Sequence, residues 1–177
     1  LHTGARSGEL AALQWHNIDW DKQTLRISKS VHYGKGDTKP ELKPTKTGKA
    51  RTIVLTQNVI SELKQYRAWV AERLLKGGVR LKESMHILFD NDLGPLHKTA
   101  PQERWDTLLR NAGLEHRGIH DLRHTYASNL IAQGLHMKLI SEMLGHSSIR
   151  MTMDIYGHLL DINDAQIRKA LEASEIL

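Results

Sequence analysis

The sequence predicts a mainly helical α+β domain with a small antiparallel β-sheet on one side. Three observations lead there. Apolar residues recur at helical spacing in several separate segments, the longest marked by Val59, Leu63, Tyr66, Val70 and Leu74. Strand-like alternation is confined to one region, residues 18–33 and 52–55. Glycines close the helical segments at Gly77-Gly78, Gly113 and Gly145. The 177 residues, 40% of them apolar, suffice for a domain with its own core, and we read residues 1–177 as one unit.

In chain order, Thr3-Gly4-Ala5-Arg6 leads into a helical turn or two at Glu9, Leu10, Ala11, Ala12 and Leu13, with Glu9 suited to the positive helix end and Arg6 just before it. Strands follow around Ile18-Asp19-Trp20, Leu25, Ile27, Val31 and Tyr33, with a turn at Asp21-Lys22-Gln23. Residues 34–44 read as a polar connector broken by Gly and Pro. The strand Thr52-Ile53-Val54-Leu55 then joins the earlier ones in the sheet, and a tight turn at Thr47-Gly48-Lys49 holds Lys46 at its tip. Thr56 or Asn58 caps the long helix. After a basic loop, an extended piece at Ile87-Leu88-Phe89 and the turn 90–95 precede a helix from about Thr99 to Gly113. Residues 119–158 read as helices broken at Gly145. Asp161 or Asn163 caps a last, short helix with Ile167, Ala170 and Leu171 on one side.

Composition narrows the functional classes. The absence of cysteine excludes a disulfide framework and a Cys-type zinc site, and suits a reducing compartment. No apolar run reaches transmembrane length and no signal peptide precedes the first motif, so a cytoplasmic location is expected. Twenty-five Lys and Arg against 20 Asp and Glu, with a pI near 9.5, favour a polyanionic partner. The chain starts at Leu1 inside a motif, which suggests a fragment lacking an N-terminal part.

The candidate chemistry lies mostly between residues 119 and 158. His120 and Arg123 are three residues apart at a helix opening, so both fall on one face and can converge on one ligand. His146 follows the helix-stopping Gly145, and Tyr156 comes ten residues later. Singly, each has an ordinary structural role: a helix-end histidine, a core tyrosine, a surface cation. Together, the arginine asks for an anion that the tyrosine can attack.

The ordered set Arg6, Lys46, His120, Arg123, His146 and Tyr156 resembles the tyrosine recombinases, or phage integrases. The resemblance lies in Thr3-Gly4-x-Arg6-x-x-Glu9-Leu10, Lys46-Thr47-Gly48, His120-x-Leu122-Arg123-His124-Thr125, Leu144-Gly145-His146 and Tyr156-x-His158. Any one of these motifs is common; five in order across nearly the whole chain are specific.

The resemblance implies that Arg6 and Arg123 hold the non-bridging oxygens of a DNA phosphodiester while His146 and His120 add donors or move a proton. Tyr156 would attack phosphorus, leaving a 3′-phosphotyrosine and a free 5′-hydroxyl that Lys46 protonates, with His120 as the helper base. No cofactor, metal or ATP is called for. The resemblance further implies double-stranded DNA as partner, preceding DNA-binding domains that this chain lacks, a homo-tetramer on DNA joined through the C-terminal helix from about Asp161, and a bacterial or phage origin. His124 and His158 stand beside the six as phosphate-adjacent groups. Two rivals come from other classes. His120 and His124 have the i, i+4 spacing of a zinc protease, with Asp121 where Glu is expected. Residues 138–154 have the outline of a helix-turn-helix DNA-binding module, which leaves Arg6, Lys46 and Tyr156 without a role.

Overall fold

The computed structural model describes residues 2–34, 40–97, 99–160 and 172. A short helix α1 (Ser7–Ala11) and a 3-10 turn (Trp15–Asn17) precede strands β1 (Ile18–Asp19), β2 (Thr24–Ile27), β3 (Lys29–His32), β4 (Glu41–Pro44) and β5 (Arg51–Val54). Helices α2 (Gln57–Lys76), α3 (Ala100–Asn111), α4 (Asp121–Ala132), α5 (Met137–Leu144) and α6 (Ile149–Tyr156) follow, then a 3-10 turn (Gly157–Leu159). The mainly helical α+β class expected from the sequence is what forms. The last helix expected from Asp161, with Ile167, Ala170 and Leu171, lies outside the described residues.

The strands depart from expectation in two ways. Glu41–Pro44, read as connector, is a strand antiparallel to β3, and the strands form two sheets, β1-β2-β5 and β3-β4. All four β4 side chains are exposed, so no buried face imposes the alternation that marks a strand in sequence. The two sheets share one long ribbon. Between the pairs Ile27↔Arg51 and Lys29↔Pro44, one strand has Ser28 alone while the other loops out through residues 45–50. Lys46 rides on that excursion. Thr45 is buried beneath it, its hydroxyl donating to the Lys49 carbonyl at 2.8 Å.

Among the described residues three buried clusters hold the domain, the smallest being Ala11, Ala12, Val31 and Leu96. The first packs β1, β2 and β5 under α2, with Ile27, Ile53, Ile60 and Val70 fully buried and the Trp15 ring tilted against that of Tyr66, centroids 5.9 Å apart. Thr56 caps α2 by accepting from the Val59 N–H, as expected. The second joins α4, α5 and α6 through Ala127, Ile131, Met137, Ile140, Leu144 and Tyr156. At eight residues α5 is too short to persist alone. Ile140 and Leu144, both at 0% exposure, anchor it, contributing roughly 3–6 kcal/mol between them. The C-terminal end of α5 faces β5 and the start of α1, and the site forms at that junction.

Candidate active site

The site is built on the way α5 ends. Gly145 adopts φ 66°, ψ 43°, the left-handed conformation that a side chain disfavours. Its N–H donates to the Glu142 carbonyl and the His146 N–H to the Ser141 carbonyl, both at 3.0 Å, the paired pattern of a Schellman ending. The next three carbonyls, of Met143, Leu144 and Gly145, lie beyond the helix's own donors and carry its negative dipole end. Three guanidiniums meet them. Arg51 Nε donates to Met143 O at 2.8 Å, Arg123 Nη2 to Leu144 O at 2.7 Å, and both Arg6 Nη groups to Gly145 O at 3.4 Å.

Glu9 is the counter-charge, at 1% exposure. Its carboxylate accepts from Arg51 Nη1 at 3.0 Å and Nη2 at 2.6 Å, from Arg6 Nη1 at 3.2 Å and from the Arg6 backbone N–H at 2.9 Å. Burial works to raise its pKa, but the Arg51 hydrogen bonds and charge, with those of Arg6, hold it below the ordinary carboxylate value. Three arginines against one carboxylate leave the hollow positively charged, ready for an anion.

Arg123 is 4% exposed, and its Nη1 also donates to Gly4 O at 2.6 Å. Burial first, then the Arg6 charge, pushes its pKa down to about 10, so it stays cationic at neutral pH. Two of its five N–H groups go to the carbonyls, and the rest make no hydrogen bond among the described residues. His146 Nδ1 lies 2.8 Å from the hydroxyl of fully buried Thr152 on α6. Burial and the charges of Arg123, Arg6 and Arg51 drive its pKa down to about 4, so the ring is neutral at pH 7. With Nδ1 accepting from Thr152, Nε2–H becomes a donor.

Tyr156 is docked in the second core at 3% exposure. Its hydroxyl meets His124 Nδ1 at 2.9 Å. His120, the helper suggested by the resemblance, lies one step further out, edge-on to the His124 ring with centroids 6.0 Å apart. Desolvation and the Arg123 charge lower the His120 pKa, and burial raises that of Tyr156 against the opposing pull of Arg123.

Five of the six anticipated residues, Arg6, His120, Arg123, His146 and Tyr156, are thus drawn into one cluster. Lys46 is not in contact with it. Lys46 is exposed on its loop, while Lys49 from the same loop lines a cavity of about 470 Å³ with Arg51, Lys138, His146 and Ser148. Residue patterns did not single out Arg51. The signal was there: Arg51, Ile53 and Leu55 alternate onto the inward face, and an inward arginine requires a buried acid. As for the rival readings, His124 spends Nδ1 on Tyr156, and among the described residues no three His, Asp or Glu side chains are grouped to hold a metal ion. The α5–α6 pair does exist, but the end of α5 is clamped as the floor of the site rather than presented as a free reading helix.

Fold and site together define a small α+β domain built around a helix end that three arginines clamp. The chain belongs to the phage integrase family, whose sequence model matches residues 1–162. It is 34% identical over 169 residues to a tyrosine recombinase XerC-like protein of Caldanaerobacter subterraneus subsp. tengcongensis, an alignment covering 89% of this chain and 43% of that protein. The chain therefore spans less than half the length of this relative. In structure it is similar to the Tn1549 transposon integrase in complex with a circular intermediate DNA, with a TM-score of 0.70 at 19% identity, covering 97% of this chain and 55% of that one. It is also similar to the catalytic domain of bacteriophage HP1 integrase, with a TM-score of 0.60 at 21% identity, covering 98% of this chain and 77% of that one. Among the described residues no helix is long and apolar enough to cross a membrane.

Proposed function

We propose that this chain is the catalytic domain of a site-specific tyrosine recombinase acting on double-stranded DNA. The observation that carries the reading is the gathering of Arg6, Arg123 and His146 at one helix end, with the Tyr156 hydroxyl packed into the same charged hollow. The names of the relatives point the same way.

In this reading Arg6 and Arg123 receive the non-bridging oxygens of the scissile phosphate, whose charge grows as phosphorus becomes pentacoordinate. Arg123 stays cationic near neutral pH, and His146, being neutral there, adds an N–H donor without a further charge. Tyr156 Oη bonds to phosphorus, the bond to the 5′-oxygen breaks, and Lys46 on the loop of residues 45–50 delivers a proton to that oxygen. The phosphotyrosyl bond conserves the energy of the phosphodiester, so a second 5′-hydroxyl rejoins the strand with no ATP and no metal in the reaction. The finer assembly is part of the proposal: a homo-tetramer on DNA in the cytoplasm of a bacterium, joined through the C-terminal segment. Four apolar side chains of α6, Ile149, Met151, Met153 and Ile155, are exposed and offer apolar surface to such a neighbour.

The test is covalent trapping. The full-length protein is incubated with nicked duplexes tiled across the genomic DNA that flanks its gene. An adduct that forms in EDTA and disappears in Tyr156→Phe is the expected result. Binding without any adduct, or an adduct that survives Tyr156→Phe, overturns the reading.

A further inference from the structure

The geometry points to His124 as the group that holds the Tyr156 hydroxyl and takes its proton as the phenolic oxygen attacks. This rests on the recombinase reading and completes a step it leaves open. A phenol with a pKa of about 10 is ionised only about one part in a thousand at pH 7, and burial of Tyr156 works further against ionisation. The reaction therefore needs an acceptor within hydrogen-bond reach of Oη. Among the described residues, His124 Nδ1 is the atom that provides it, at 2.9 Å, with ring centroids 5.7 Å apart. His120 makes no hydrogen bond to Tyr156 there and meets the nucleophile only through the His124 ring.

The placement follows from helix geometry. Arg123 and His124 are consecutive in the first turn of α4, so their side chains leave the helix about 100° apart. Arg123 points to the end of α5, where the phosphate is expected, and His124 to the last residue of α6, which is the nucleophile. Ala127 and Ile131 below them, and Tyr156 itself, belong to the same buried cluster, so acceptor and nucleophile are mounted on one packed body. The transfer requires the neutral tautomer with its proton on Nε2, so that Nδ1 accepts from the phenol. As Oη bonds to phosphorus, its proton passes to Nδ1 and gives an imidazolium. The bond to the 5′-oxygen breaks, and that oxygen takes a proton from Lys46. Rejoining runs backwards, the phenolate recovering its proton from His124.

The experiment compares wild type, His124→Ala and His124→Asn in the full-length protein on the nicked duplex that traps the wild type, with thermal melts and DNA binding measured alongside. Asparagine retains an acceptor for the phenol but cannot hold its proton. Both variants are expected to bind DNA like the wild type and to form adduct about 100-fold more slowly or worse, with added imidazole restoring part of the rate in His124→Ala. Adduct formation by His124→Asn at the wild-type rate overturns the proposal, because hydrogen-bonded placement alone would then suffice. If His124→Ala does not fold, the asparagine variant and a DNA-free measurement still decide: the ¹⁵N resonance of His124 Nδ1 is expected to move in Tyr156→Phe, and an unmoved resonance refutes the contact. A wild type that never forms adduct brings down the recombinase reading and this step with it, whereas a trapping wild type with an equally fast His124→Asn brings down this step alone.

Discussion

Replacing Glu9 by glutamine takes one negative charge out of a position where it faces two guanidiniums and a backbone N–H. The carboxylate accepts four hydrogen bonds, two of them from the fork of Arg51, whose side chain is only 9% exposed. Glutamine fits the space, but its amide nitrogen must turn a donor towards either Arg51 or Arg6, and no anion remains for a cation that water barely reaches. Breaking a buried pair by neutralising one partner costs about 3–5 kcal/mol; Arg6, which keeps 24% exposure and recovers some solvation, puts the expected loss at the lower end, about 3 kcal/mol. For a chain of this size that corresponds to a fall in Tm of roughly 6–12 °C. Urea titration of wild type and Glu9→Gln, with thermal melts as a second probe, measures it. The pH dependence gives an independent check. The folded pKa of Glu9 lies below its ordinary value of 4.5, so its contribution is complete above that value and is lost as the pH falls through the lower, folded one. Glu9→Gln should therefore lose less stability on acidification than the wild type. A variant within about 1 kcal/mol of wild type at pH 7, with an unchanged acid limb, would refute the idea that this carboxylate clamps the site.

Three further outcomes are expected. Gly145→Ala strains a residue at φ 66° and sets its Cβ 2.7 Å from Arg51 Nη1, so it should cost at least about 1–2 kcal/mol in urea titration and displace the guanidinium that holds Glu9. His146 refuses a proton in the folded state until about pH 4 but accepts one near 6.5 when unfolded; stability should be flat above 6.5 and fall as the pH drops between those values, an effect that His146→Asn removes in melts at stepped pH. Arg123→Ala should abolish adduct formation while weakening DNA binding only in part, as read by gel shift, because other phosphate contacts supply most of the affinity; a variant that cleaves normally would contradict its role.

Much of this molecule was legible from residue order. Helical periodicity gave α2, Gly145 marked the end of α5, and the motifs around Arg6, Arg123, His146 and Tyr156 pointed to one anion-handling centre, because periodicity, turn conformation and local motif are properties of neighbouring residues. What lay beyond that reach depended on partners distant in sequence. Strand β4 is defined by pairing with β3 and has no buried face to pattern it. Arg51 became a structural clamp only when Glu9, 42 residues away, met it in a space closed to water. His124 rather than His120 came to face Tyr156 although the two lie one turn apart on the same face of α4, because the packing of α6 decides at which level along that face the phenol sits. Sequence determined which chemical groups this chain carries and which local shapes hold them. Tertiary structure decided which charges are removed from solvent together, and burial is what turns a nearby charge or hydrogen bond into a strong one.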